Sequence, residues 1–560
     1  MDTIELNLPR ELGQHLTGMD NMFFQLEHPR RLMTICSVWL FTKRLDINII
    51  FEALENLCAH YPRFCMVPKH GTLYETPIWS RPYQDWTFKD NFILHTLQGA
   101  STDCLQKYMA QEYAKSFDFE KPLWEVHYIT GLQDGHTAFL WKAHHSMSDG
   151  IGIMKAVLAT TTSFDPVEVT KQQLEQLQRR RSEGNIANHW HDFVLERQRQ
   201  QRKKNDRHPR HRTHQQQQQR YEKAMHKVGV LWHQVIFWFL WTWQLLVMVT
   251  QQVYHELWTM SLLVEPLLQQ LRHLILFPIR RLFSQRKPTR EMFYDDDQTF
   301  DKLIAWTDDI HLTDIQKVQK GLGGGTKCTL NDVMLMVFAR SVRRYIQQHQ
   351  QSSNNIKPSS NVSLRIIIPL SFRFPTDYAM KNVVTGNMVG LNTGAADNIS
   401  PTTTTTLLKQ VHQRMMTVKR SILPYAMYHV FIQTILRYFP FLMMPMWMQH
   451  WYTDIPHAIF TNIFGPTNPT LFGGQEMTGF HVLPPQAGKG SISVGLVSYC
   501  NKVNISMLTD NHPDYPDLAN VLCKVFVDEF KSVLAEASEK LDNDTSGCSD
   551  SDEDNGAHVN

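Results

Sequence analysis

From Val228 to His255 the chain carries no Asp, Glu, Lys or Arg, and this run limits how the rest of the protein can be arranged. As a helix, its first 23 residues, VGVLWHQVIFWFLWTWQLLVMVT, would measure about 34 Å, enough for a hydrocarbon core of about 30 Å. Against a clean span stand Trp238, Trp241 and Trp243 near its centre, because Trp favours the membrane interface over the midplane. The following segment, Leu257 to Phe283, is Leu-rich but holds Glu265, Pro266 and Arg272, a pattern that fits an amphipathic, interfacial or buried helix. Basic residues flank the insert. Ten Lys/Arg face two acids between Arg197 and Lys223, and Arg280, Arg281, Arg286, Lys287 and Arg290 close the far end.

On both sides of this insert the pattern is mixed α/β. Val38 to Phe41 and Ala138 to Trp141 are apolar runs of strand length, while Asn48 to Cys58 and Ile151 to Thr160 carry helical spacing. After the insert, Thr329 to Arg344 predicts an apolar helix and Ile366 to Ile368 a strand. Ser491 to Leu508 predicts two strands about a turn at Asn501-Lys502, and Asp517 to Ala535 an amphipathic helix. The 560 residues are ample for several cores. A formal charge of +2 excludes a surface built wholly for nucleic acid. Eight scattered cysteines without a CxxC pair indicate neither a disulfide framework nor a zinc ribbon, which points to a reduced, cytosol-facing compartment. The first twenty residues have acids where a signal peptide needs bases and lack an apolar core, so no secretory leader is expected.

One string carries chemistry. Trp141-Lys142-Ala143-His144-His145-Ser146-Met147-Ser148-Asp149-Gly150 is an HHxxxDG pattern between an apolar strand and an apolar helix. A strand-to-loop junction lets a rigid scaffold present a base, and an imidazole can take a proton at physiological pH. The plainer reading is a surface His pair on a turn. A metal site is weaker still, because adjacent histidines diverge from a strand and the nearest Asp lies four residues on. Gly321 to Lys327 is not a phosphate loop, since Thr326 separates Gly325 from Lys327 and Cys328 follows.

With these residues the sequence resembles the wax ester synthase/diacylglycerol acyltransferase family, within the wider group of acyl-CoA-dependent acyltransferases that share HHxxxDG. The likeness extends to Met19 to Pro29 (MDNMFFQLEHP), Lys121 to Leu132 (KPLWEVHYITGL) and Leu330-Asn331-Asp332-Val333. It continues in Pro369 to Arg373, Gly386-Asn387-Met388, Thr461 to Pro466 and the Ser491 to Asp510 region. The resemblance implies an α/β, two-lobed, chloramphenicol-acetyltransferase-like (condensation-domain-like) fold with a helical membrane-associated insert. It implies an acyl-CoA-dependent O-acyltransferase that esterifies a long-chain fatty alcohol, diacylglycerol or both, with acyl-CoA as substrate and no cofactor or metal. By the same resemblance His145 is the general base, His144 a supporting residue and Asp149 structural, with Arg373 its candidate partner. Gly150 lets the backbone turn close to the tunnel, and Asn331 and Asp332 match the family's ND pair, although an acid near a helix start is first of all a cap. A catalytically silent lipid-binding protein of this fold, or another acyl-CoA:alcohol transferase of the same group, stays open at this point.

The expected organisation is a first lobe over 1–165, a basic Gln/Arg/His-rich arm over 166–227, a hydrophobic anchor over 228–283, a second lobe over 296–540 and a disordered acidic tail over 541–560. Two lobes that form one tunnel must lie on one side of a membrane. The insert is therefore expected to cross an even number of times or to lie in the interface, at the endoplasmic reticulum or a lipid-droplet surface, with both lobes facing the cytosol.

Overall fold

The strand expected around Val38 is where the two halves of the chain meet. The computed structural model describes residues 12–69, 75–161, 238–261, 301–352, 363–374, 376–392, 404–438, 456–487, 492–513 and 515–546. Strand β1 (Thr34–Phe41) pairs antiparallel with β6 (Thr137–His144) on one side. On the other it pairs with β13 (Gln475–Leu483), more than four hundred residues later, with Cys36 opposite Leu483 and Trp39 opposite Phe480. The sheet of the first lobe thus contains two strands lent by the second, β13 and the short strand paired with its outer edge. Its order is β12 (Leu471–Phe472), β13, β1, β6, β5 (Trp124–Leu132), β4 (Phe92–Ala100). The sheet of the second lobe runs β10 (Val384–Asn392), β9 (Ser363–Ser371), β11 (Ala458–Phe464), β14 (Ile492–Tyr499), β15 (Lys502–Asp510), β7 (Lys302–Trp306), with β8 (Ile310–His311) also paired to β15. A separate ribbon joins β2 (Val67–Lys69) to β3 (Ile78–Ser80).

Helices cover these sheets for reasons visible in their residues. After α1 (Gly18–Gln25), α2 (Ile47–His60) begins at the Asp46 cap and buries Ile50, Leu54, Leu57 and Cys58, one stripe of a 3.6-residue period. The others are α3 (Thr102–Tyr113), α4 (Gly150–Leu158), α5 (Leu312–Gly323), α6 (Leu330–Ser352), α7 (Thr404–Arg420), α8 (Leu423–Ala426), which runs into a π-helix over Met427–Leu436, and α9 (Leu518–Ser546). The β14–β15 turn is made by Cys500 and Asn501, both at positive φ (49° and 60°), the geometry of a tight hairpin. It lies one residue earlier than the sequence pattern placed it. α9 continues helical to Ser546, so the first residues assigned to a disordered tail are helix; the rest of that tail lies outside the described residues.

The chain divides into two compact units, one of Met1–Asp165 with Trp258–Asn560 and the other of Pro166–Leu257. In the second unit residues 238–257 are described, and they are helical. Those up to His255 belong to an uncharged run that begins at Val228 in the sequence, and its apolar part ends at Val249, before Thr250, Gln251 and Gln252. Among the described residues no helix is long and apolar enough to cross a membrane; the expected span begins at Val228, and its first ten residues lie outside the described ones. The basic arm, residues 228–237 and residues 262–283 lie outside the described residues.

A buried ion cluster also ties the halves together. Arg31, just before β1, makes two hydrogen bonds to the Asp510 carboxylate at the end of β15, at 3.1 and 2.9 Å, and Lys302 Nζ reaches the same carboxylate at 2.7 Å. Removing one partner of a buried pair leaves an uncompensated charge and costs about 3–5 kcal/mol. Arg31→Met is therefore expected to lower the thermal unfolding midpoint clearly. Lys317→Met, which removes an exposed i,i+3 pair with Asp314, should change stability by less than about 1 kcal/mol. Scanning calorimetry of both variants checks the contrast.

Candidate active site

β6 is buried along its whole length, and neighbouring residues leave a strand in opposite directions. His144 and His145 therefore part. His144 packs among the rings of Phe24, Phe117 and Phe119, with centroids 5.9–6.3 Å away. Its Nδ1 accepts from the Ser146 N–H at 3.1 Å and from the Ser146 hydroxyl at 2.8 Å. That pattern leaves the proton on Nε2, which points at the Glu27 carboxylate 3.4 Å away.

His145 faces the other way, into a largely apolar cavity of about 230 Å³ between the lobes. Met22, Trp141 and Ile153 line the cavity from the first lobe, and Ile367, Ile459 and Val482 from the second half of the chain. The Phe23 ring stacks on the imidazole, 3.8 Å between centroids and 19° from parallel. The tautomer of His145 follows from its partner Asn382. The Asn382 side-chain nitrogen donates to the His145 carbonyl at 2.7 Å and to Asp20 Oδ1 at 2.8 Å. Both are acceptors, so the amide has one orientation and its Oδ1, 3.0 Å from His145 Nδ1, accepts a hydrogen bond from the ring N–H. Nδ1 carries the hydrogen, and Nε2 keeps a lone pair. Burial pushes the His145 pKa down to about 4, outweighing the hydrogen bonds and the Asp149 charge that act upward. The imidazole is neutral at physiological pH.

Asp149 builds the loop that carries Asn382. As the N-cap of α4 it accepts from Gly152 N at 2.8 Å through Oδ1. Its Oδ2 accepts from Val383 N and from Arg373 Nη2, each at 2.9 Å. Arg373 also donates to the carbonyls of Ala379 at 2.8 Å and Lys381 at 2.5 Å, so the segment from Phe372 to Val383 folds round its guanidinium. Asp149, Arg373 and His145 are thus brought together, 224 positions apart in the case of Asp149 and Arg373. Gly150 lines the cavity with ordinary helical backbone, and a Cβ there would approach only Ile463 Cδ1, at 3.1 Å. The tighter glycine is Gly152, where a Cβ would lie 2.1 Å from Ser148 Oγ and 2.9 Å from Arg373 Nη2.

Asn331 and Asp332 stand apart from His145. Asp332 Oδ2 accepts from Thr329 N at 2.7 Å while Thr329 Oγ1 is 3.4 Å from Asp332 N, a reciprocal cap of α6, and the same carboxylate meets His412 Nδ1 at 2.8 Å. Asn331 reaches the cavity wall indirectly, through a 2.6 Å bond from Asn462. Four residues around His145 carry no role that the sequence indicates: Phe23, Asp20, Arg63 and Asn382. Asp20 is fully buried in α1 and paired with Arg63 at 3.0 Å. An acid inside the apolar string GMDNMFF was a usable signal. Nothing local marks Asn382.

The sequence matches the wax ester synthase/diacylglycerol acyltransferase catalytic domain over residues 16–204 and the C-terminal domain of the same family over residues 382–533, together more than half of the chain. Two Arabidopsis thaliana relatives, wax ester synthase/diacylglycerol acyltransferases 10 and 6, are 24% identical over 134 residues and 27% identical over 139. The matched stretches are 23% and 22% of this chain, and they span only 28% and 26% of the relatives' own lengths. In fold, the chain is similar to the wax ester synthase/diacylglycerol acyltransferase from Marinobacter aquaeolei VT8, with a TM-score of 0.52 at 17% identity over 94% of this chain and 98% of that one. The two-lobed α/β architecture is shared with that structure.

The contrast between the two glycines is measurable. Gly152→Ala forces Ser148 or Arg373 to move and should cost about 1–3 kcal/mol, read as a lower thermal midpoint. Gly150→Ala, facing the end of one flexible side chain, should be close to neutral. Equal losses would show that the Asp149–Arg373 pocket is not the tight point.

Proposed function

Because the chain belongs to the wax ester synthase/diacylglycerol acyltransferase family, we propose that it transfers a fatty acyl group from acyl-CoA to the hydroxyl of a long-chain alcohol or diacylglycerol. The observation that carries this reading is the His145 tautomer. With Nδ1–H held by Asn382, Nε2 offers its lone pair beside an apolar cavity between the lobes. In the proposed reaction Nε2 takes the proton of the bound alcohol while the alcohol oxygen attacks the thioester carbonyl carbon. The tetrahedral intermediate then collapses, the C–S bond breaks, and the imidazolium returns its proton to the departing CoA thiolate. No serine or cysteine nucleophile is needed, so both substrates are bound together and no acyl-enzyme forms. Asp149 and Arg373 act through the loop, and His144 acts as packing beneath the strand end.

An apolar cavity suits these substrates, since each buried CH₂ contributes about 0.8 kcal/mol. We further propose that residues 228–283 hold the protein at a membrane or lipid-droplet surface, with the lobes on the cytosolic side of the endoplasmic reticulum. Trp238, Phe239, Trp241 and Trp243 are exposed, and aromatic residues of this kind favour the interface.

His145→Ala is expected to lower ester formation from acyl-CoA by about a hundredfold or more, with a much smaller loss for His144→Ala. Retention of near wild-type turnover by His145→Ala would overturn the base assignment. Binding of acyl-CoA without any turnover by the wild type would instead make the chain a lipid-binding member of the family. The pH profile gives a second check. A base with a pKa near 4 stays competent as pH falls through 6.5 and loses competence only near 4. The unfolded imidazole would bind a proton through that window and the folded one would not, so stability falls with pH over the same range. Initial rates taken after brief exposure to each pH separate the two effects.

A further inference from the structure

The helical segment that closes one wall of the cavity has a second, outward face. Along α8 and the π-helix, Pro424, Tyr428, Ile432 and Leu436 recur every four residues and are buried, and Leu423, Pro424, Met427 and Ile432 line the cavity. The inward face is also tied to the site, because the Tyr428 hydroxyl donates to the Asn382 carbonyl at 3.1 Å. The outward face carries Ile422, Tyr425, Val430 and Tyr438, all exposed, with Ile422 at 72% and Tyr438 at 71%. Phe374, 76% exposed, lies two residues beyond Phe372, whose ring packs on Tyr425 at 5.9 Å. Single exposed apolar side chains are ordinary, whereas several large ones on one rim mark an interaction surface.

Charge identifies what the surface meets. Between Asp397 and Asp454 the sequence has no acid and five bases, Lys409, Arg414, Lys419, Arg420 and Arg437, of which Arg420 and Arg437 are exposed beside the apolar rim. Aromatic and aliphatic side chains with bases fit the boundary of an anionic bilayer or monolayer, and the acid nearest in sequence to Phe374, Asp377, is paired with Arg373 and Lys381. A cavity wall that is at the same time this rim gives a lipid a path into the site without passing through water.

We propose that the rim formed by Phe374, Ile422, Tyr425, Val430 and Tyr438 docks onto an anionic phospholipid surface and that the lipid substrate enters the cavity past the π-helix. Only the nature of the entering lipid rests on the acyltransferase reading. Hydrogen exchange of the full-length protein with and without vesicles of phosphatidylcholine and phosphatidylglycerol tests the docking directly. Peptides covering 422–438 should exchange more slowly with vesicles, less so with phosphatidylcholine alone, and the protection should disappear in Ile422→Glu/Tyr438→Glu. Unchanged exchange over 422–438 in the wild type overturns the proposal, as does protection that survives the double substitution, which would assign the effect to another contact. A turnover assay gives the functional half. The double variant should esterify vesicle-embedded alcohol about tenfold more slowly while keeping its rate on detergent-dispersed alcohol, and equal losses in both formats would count against entry by this route. If the wild type forms no ester in either format, the acyltransferase reading fails and the exchange result still decides the docking.

Discussion

The buried Asp149 carboxylate is the constraint on which the site depends. It cannot be left unpaired inside the protein without a cost of several kcal/mol, and it is met by three donors from separate places: the start of α4, the Arg373 side chain and the Val383 backbone. Satisfying it fixes the segment between Arg373 and Val383. The Ala379 and Lys381 carbonyls accept further guanidinium hydrogens, and Asn382 is left where it can reach His145. The DG of HHxxxDG is therefore the foundation of the loop opposite the histidine, and the second lobe supplies the residue that orients the first lobe's histidine.

Asn382 orients His145 without charging it. A carboxylate in the same position would stabilise the imidazolium and raise the pKa, whereas the amide accepts the Nδ1 hydrogen as a neutral group. The nearest carboxylate in this chain of bonds, Asp20, is one residue further out and already paired with Arg63. Burial then keeps the ring neutral. The result is an imidazole whose direction is set by hydrogen bonds and whose charge state is set by the apolar cavity around it.

How much of this was legible in the sequence varies with range. The strand, loop and helix around His145 were readable because β6 and α4 show their own periodicities, and Thr329 with Asp332 could be recognised as a helix cap. That His144 leaves the strand on the opposite side follows from alternation alone. The strand exchange of β13 and the contact of Asn382 with His145 were not readable. Each joins residues hundreds of positions apart, and neither a Gln475–Leu483 strand nor an Asn before two valines says which sheet or side chain it will meet.

The central claim is that Asn382 fixes His145 as the neutral Nδ1–H tautomer with Nε2 unprotonated. Nitrogen NMR of protein labelled at histidine, with the His145 signals assigned by their loss in His145→Gln, reads this directly. The account predicts a protonated Nδ1 and a bare Nε2 from neutral pH down to about pH 5, with the preference lost in Asn382→Leu. A proton on Nε2 in the wild type, or full protonation of the ring near the ordinary imidazole value of 6.5, would contradict it.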